Sequence, residues 1–214
     1  LKYVKNIIVC FLLFSCSNLG EKKNKIELYS NNYISSKSKN NIGVINLDTV
    51  ENFSELSKAM GKLSCDKRIS GLRFELNDSI YNLIGYSDCP NHGEIGCFFT
   101  PNILKIRNDS LILGYGKEKS SKPISYLKQE LNNIIDNPNN YQVNKNKLKP
   151  AVIYLYVDDK YPISTTKEVL KEITKEFLFI NNSKHSEYFK YTVLFTGYDI
   201  TKIPPPPLPP SANE

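Results

Sequence analysis

Three cysteines, Cys65, Cys89 and Cys97, stand in the body of a chain that has five in all, and His92 and Glu94 lie between the last two. Thiols so placed either pair by oxidation or bind a metal as thiolates. Cys89 and Cys97 flank the turn-rich segment Pro90-Asn91-His92-Gly93-Glu94-Ile95-Gly96 and are the expected disulfide partners, with Cys65–Cys89 as the alternative pairing. A bridge over a loop of that size contributes roughly 2 to 3 kcal/mol in the chain-entropy model. Zinc would use Cys89, His92 and Cys97 and take its fourth ligand from Cys65 or Glu94, but these spacings depart from the short paired ligands of structural zinc sites. The expectation is a disulfide and no metal.

The remaining polar residues point away from catalysis. Of the two histidines, His185 sits in the polar run Asn181 to Glu187, which reads as a solvated loop. No Gly-x-Ser-x-Gly, phosphate loop or His-Glu-x-x-His is present. Asp158 and Asp159 form an acidic pair, but they stand between a strand pattern and a helix pattern, where Asp serves as a turn former. The 14 tyrosines offer rings for stacking on sugars, yet Tyr154 and Tyr156 alternate along a strand and are expected to cover one sheet face. The chain reads as non-enzymatic and without a cofactor.

The elements that must position these residues belong to a chain of 214 residues, 40% hydrophobic and 23% charged, which are ordinary globular proportions. The length suits one domain with appendages. The formal charge is +6; without Lys2 and Lys5 the 28 basic residues fall to 26 against 22 acidic ones, a net +4. That mild excess, with no cluster of cations among aromatics, gives no reason to expect nucleic acid as a partner.

Residues 1–15 read as a signal peptide, with cations at Lys2 and Lys5, an apolar run from Ile7 to Phe14, and the approach Leu13-Phe14-Ser15-Cys16. This end resembles the lipobox of bacterial lipoproteins, which implies cleavage before Cys16 and lipidation of that cysteine. Acyl chains insert at about 0.8 kcal/mol per buried CH₂, so two or three hold a protein firmly on a membrane. The apolar run is well short of the roughly 18 to 20 residues that span a bilayer. The chain is therefore expected to lie on a membrane without crossing it. By analogy with enteric bacteria, Ser17 points to the outer membrane, with the body in the periplasm or at the cell surface.

Residues 16–41 are rich in Lys, Asn and Ser and read as a flexible tether. Residues 201–214 carry Pro204-Pro205-Pro206-Pro207-Leu208-Pro209-Pro210, a polyproline II tail that cannot join a sheet. Within 42–102, Phe53, Leu56, Ala59, Met60 and Leu63 predict a helix over Asn52–Leu63, and Leu72, Phe74 and Leu76 alternate into a hairpin turning at Asn77-Asp78-Ser79. The same Asn-Asp-Ser stands at 108–110, and both copies lead to Gly-Tyr. That is either an internal repeat or the turn preference of Asn and Asp acting twice. Over 103–200 the pattern gives a hairpin, then a helix with Pro123 in its first turn. A central strand over Ala151–Val157, a helix capped by Thr165 with Glu168, and a strand over Tyr188–Gly197 follow. The fold class is α+β: a mixed sheet with two helices on one face, plus a hairpin-rich N-terminal region.

The succession from Ile103 to Asp199 resembles the periplasmic domain of the ExbD/TolR family, accessory subunits of proton-driven transport and envelope complexes. Its likeness rests on Leu104 to Gly114, on Ser121 to Asp136, and on the strand, Asp-Asp-Lys and capped helix of Val152 to Leu170. The resemblance implies a folded envelope module that contacts other envelope proteins or peptidoglycan, with a homodimer as one arrangement left open. Members of that family also carry a transmembrane helix with an aspartate that takes part in proton flow, and a carboxylate at that depth needs such a helix to hold it. No carboxylate stands between Asn6 and Ser15, so proton conduction does not carry over. The alternative expectation is a stand-alone surface lipoprotein that binds an extracellular ligand through residues 42–102.

Overall fold

The computed structural model describes residues 25–38, 41–90, 103–114, 119–137, 151–184 and 191–202. Its strands are β1 (Ile26–Tyr29), β2 (Ile42–Asn46), β3 (Ile69–Leu76), β4 (Ser79–Tyr86), β5 (Ile103–Arg107), β6 (Ser110–Leu113), β7 (Ser120–Pro123), β8 (Ala151–Tyr156) and β9 (Tyr191–Phe195). Its α-helices are α1 (Asn31–Lys37), α2 (Phe53–Cys65), α3 (Leu127–Asp136) and α4 (Ile163–Lys184). All the described strands join one mixed sheet in the order β2-β3-β4-β9-β8-β5-β6-β7, with β1 beside β4. The central four, β4, β9, β8 and β5, run parallel, and β3 and β6 flank them antiparallel. β4 shares one edge between two partners: β1 pairs with Ser79–Asn82 and β9 with Gly85 and Tyr86.

Alternation along the strands decides which face is the core. Leu72 lies opposite Leu83, and Leu104, Ile153 and Val193 lie abreast on neighbouring strands. All five are buried. Three helices cover this face, one more than expected. Met60 of α2 reaches Gly85, the Phe177 ring of α4 meets Tyr191 at 4.2 Å, and Leu127 and Leu131 of α3 join the same core. Val169, Leu170, Ile173 and Phe177 form the buried stripe of α4 that their spacing predicts. Each such side chain stabilises the fold by about 1.5 to 3 kcal/mol as an upper bound. On the opposite face α1 sets Tyr33 within 3.3 Å of where a Cβ on Gly71 would stand. Among the described residues no helix is long and apolar enough to cross a membrane.

Both Asn-Asp turns form as expected. Leu76 pairs with Ser79 and Arg107 with Ser110, and Asn77 and Asn108 take positive φ values of 53° and 56°, a conformation Asn tolerates better than most residues. The hairpins differ in placement, however. The returning strand β4 faces the sheet centre in the first, and the leading strand β5 does so in the second. The turn conformation of Asn77 and Asn108 is by itself sufficient reason for the shared residues.

Three expectations need correction. Residues 26–37, read as part of the tether, form β1 and α1, because the free half of β4's edge supplies backbone partners that local composition does not reveal. The sequence leaves open whether residues 42–102 extend the sheet of 103–200; their described strands do so, through the β4–β9 pairing. Pro123 closes edge strand β7, where it pairs with Ser110, and caps a 3₁₀ turn over Ile124–Tyr126, so α3 begins only at Leu127. Finally, α4 starts at Ile163, two residues before the expected Thr165 cap, and Glu168 pairs with Lys171.

Candidate functional site

A cleft of about 480 Å³ opens where β4, β9 and β8 end at their carboxyl termini, the place where parallel sheets offer ligands a crevice. The first turns of α2 form one wall through Phe53, Ser54, Ser57 and Lys58, and the chain after β4 and β9 forms the rest. Local capping sets that wall. Asn52 Oδ1 accepts from Glu55 N at 2.9 Å, and the Glu55 carboxylate accepts from Glu51 N at 2.8 Å. Asp159 then accepts from Ser54 N and Ser54 Oγ at 3.0 and 2.6 Å. Phe53 stacks on Phe195 and meets Tyr156 edge-on, each at 5.8 Å between ring centroids.

The opposite end of α2 is held by a disulfide between Cys65 and Cys89, whose Cα atoms are 4.8 Å apart across 24 positions of sequence. This is the alternative pairing and replaces the expected Cys89–Cys97. The reason is the path of α2, which crosses the sheet and ends beside the exit of β4. Gly61 permits the approach: a Cβ there would stand 3.2 Å from Pro90 Cδ and 3.5 Å from the Asp88 carbonyl oxygen. Cys97, His92, Glu94, His185 and the lipidation residue Cys16 lie outside the described residues. With Cys89 oxidised, the Cys89, His92 and Cys97 set has lost one thiolate. Among the described residues no three His, Cys, Asp or Glu side chains gather as metal ligands.

The Asp158–Asp159 pair does structural work on two sides. Asp158 accepts from Arg107 Nη2 at 3.1 Å and Asn108 Nδ2 at 3.2 Å, and its own N–H donates to Asn108 Oδ1 at 2.9 Å. One carboxylate thus locks the second hairpin turn and the other locks α2, while the pair also sits in a turn of its own, in which the Asp158 carbonyl accepts from Tyr161 N at 2.9 Å. Tyr154 and Tyr156 occupy the sheet as expected and are partly covered. Burial raises the Tyr156 hydroxyl above its usual range, with Asp158, Asp199 and Asp159 adding to the effect. Tyr154 is raised first by burial, then by Tyr198 and Asp88.

The described lining therefore offers the rings of Phe53, Tyr156, Phe195 and Tyr198, the hydroxyl residues Ser54, Ser57, Ser87 and Thr196, one cation at Lys58 and one anion at Asp88. It suits a ligand with hydroxyl groups and an apolar face, for which rings supply stacking and serines supply hydrogen bonds. Sequence reasoning missed this site because its walls come from 53–58, 87–90 and 194–198, segments that only the β4–β9 pairing brings together. No protein-family model matches the chain, and neither the curated proteins nor the solved structures contain a match to it.

Proposed function

We propose that the protein is a non-enzymatic, lipid-anchored protein of the cell envelope, held on a membrane through Cys16, whose body makes protein or peptidoglycan contacts. The observation that carries this reading is the Cys65–Cys89 disulfide, since such bridges persist in oxidising, extracytoplasmic compartments. It agrees with the signal-peptide pattern that ends at Cys16. The ExbD/TolR likeness draws support from the order of β5, β6, α3, β8, α4 and β9, with β8 between β5 and β9, although a short strand, β7, stands between β6 and α3. A link to a biopolymer-transport-type complex follows from that likeness by analogy alone, without proton conduction. Peptidoglycan fits the cleft in kind, being a polymer of hydroxylated sugar rings and short peptides.

The test is mass spectrometry of the mature N-terminus on membranes treated with protease before and after lysis. Acylated Cys16 with the body protected in intact cells is the expected result. An N-terminus neither cleaved nor acylated would remove the premise. The second reading, a surface lipoprotein with an extracellular ligand, is favoured by the share of the cleft wall that comes from Phe53 to Pro90. Digestion of the body in intact cells would select it.

A further inference from the structure

The two end strands of the sheet, β7 and β2, are built differently. β7 has the sequence Ser-Ser-Lys-Pro, is exposed throughout and follows Lys119. Lysine and a terminal proline are the usual protections of an edge against strand addition. β2 reads Ile42-Gly43-Val44-Ile45-Asn46, with neither a charge nor a proline. Ile69 N–H donates to the Asn41 carbonyl at 2.9 Å, which fixes the phase of the parallel β2–β3 ladder. Asn41, Gly43 and Ile45 turn their backbone groups toward β3, and Ile42 and Val44 turn theirs outward. The Ile42 carbonyl accepts from Arg68 Nη2 at 3.3 Å. Val44 N–H and C=O have no partner among the described residues, and the Val44 side chain is 55% exposed.

Beside this edge runs a groove of about 540 Å³, floored by Ile45, Ala59 and Leu63 and rimmed by Lys58, Lys62 and Arg68. Its one acidic lining residue, Glu55, has its carboxylate turned onto Glu51 N. Among the described residues neither Lys58 nor Lys62 has an acidic partner. An unpaired strand edge beside a helix, with a cationic rim, is the geometry that captures an extended chain by main-chain hydrogen bonds.

We propose that the β2 edge is a docking site for an extended, acidic peptide segment of another protein, which adds to the sheet as a further strand bonded to Val44. The charge on the rim selects the partner. A second copy of this chain would bring the same three cations against the first, and like charge disfavours that pairing. The proposal names a partner class for the protein contacts suggested above, but it needs neither the anchor nor the family likeness. Its failure would leave the envelope reading intact.

The test uses the full chain and two fluorescein-labelled peptides of about eight residues, the length of an ordinary strand, one alternating Val with Glu and the other Val with Lys. By fluorescence anisotropy the Val-Glu peptide is expected to bind at least about tenfold more tightly, and the difference should shrink with added salt. Val44→Pro removes the outward N–H while leaving the bonds to β3, and should weaken the Val-Glu peptide by about tenfold or more. Lys62→Glu, at an exposed position of α2 that lines this groove and not the cleft, should erase most of the preference between the peptides. Circular dichroism checks that Val44→Pro folds; if it does not, the charge-reversed variant alone decides. Equal binding of the two peptides, or a preference that the charge reversal leaves unchanged, overturns the proposal. So does a dimer in sedimentation that dissociates with Val44→Pro and ignores the peptide, which would assign the edge to a second copy.

Discussion

Arg107 Nε stands 3.0 Å from Asp199 Oδ2, so the end of β5 holds the segment that follows β9. The same guanidinium reaches Asp158 at 3.1 Å, and one cation thereby ties three separate stretches of chain. The angle at Nε is unsuited to a hydrogen bond, and the Nε–Asp199 contact is an ion pair. Burial of Asp199 opposes its ionisation, but the Thr201 hydroxyl and N–H, at 2.6 and 2.9 Å, together with Arg107 and Lys202, outweigh it. The carboxyl therefore titrates below its usual range.

A depressed carboxyl contributes stability that is present above its unfolded value, near 3.8, and lost as pH falls through the lower folded value. Acid should accordingly release the Gly197–Lys202 segment. Asp199→Asn should destabilise the fold by about 1 to 3 kcal/mol at neutral pH and remove that part of its acid sensitivity. The exposed side of Arg107 moderates the cost through solvent screening. Urea denaturation at pH 7 and pH 3 measures both effects, and an unchanged midpoint at pH 7 would show that the pair is not needed.

Removing the disulfide should cost about 3 kcal/mol in the chain-entropy model. Cys65→Ser combined with Cys89→Ser is therefore expected to lower the denaturation midpoint to that of the reduced wild-type chain. Alkylation of the denatured, unreduced protein should modify Cys97 and spare Cys65 and Cys89; a cross-linked peptide containing Cys97 would contradict the pairing.

Gly85 and Gly197 provide a contrast in packing. A Cβ on Gly85 would stand 2.7 Å from Met60 Cε, 2.8 Å from Phe195 Cε2 and 2.9 Å from Leu72 Cδ1, whereas one on Gly197 meets nothing within 4 Å. Gly85→Ala should cost about 1 to 3 kcal/mol as three core side chains shift. Gly197→Ala should stay within about 0.5 kcal/mol of wild type. Thermal melts of the two variants, compared side by side, decide whether core crowding sets the difference.

Burial pushes the Tyr191 hydroxyl up to about 12, an effect that the nearby Thr174 opposes. The hydroxyl makes no hydrogen bond of good geometry among the described residues. A raised value means stability that is complete below the unfolded value of 10.0 and declines as pH rises toward about 12. Tyr191→Phe should be neutral or mildly stabilising at pH 7 and should flatten the alkaline decline, which denaturation at pH 8 and pH 11 would reveal.

Elements with strong local reasons were legible in the sequence. Asn77 and Asn108 announce their turns because few other residues accept positive φ, and Val152 to Val157 announces a central strand because it is apolar on both faces. Helix α2 was visible through Asn52 and its three-and-four spacing. What escaped depends on partners distant in sequence. Ile26 to Tyr29 is a strand only because β9 leaves half of β4 free, and Ser120 to Pro123 only because β6 needs an outer neighbour. The pairing of Cys65 with Cys89 follows from the direction in which α2 crosses the sheet, which no spacing rule encodes. For the same reason the cleft was invisible, although Phe53 and Phe195 were each recognisable as apolar positions of their elements.

The docking of β1 along β4 also sets a leash length. A chain free from Cys16 to Ile42 could carry the domain about 90 Å from an acylated cysteine, at about 3.4 Å per extended residue. With Ile26 bonded into the sheet, the span from Cys16 to Lys25 extends at most about 30 Å. Under the proposed anchoring, Ile26 stays within about one bilayer thickness of the acylated cysteine, so any further reach comes from the size of the folded domain and not from its tether.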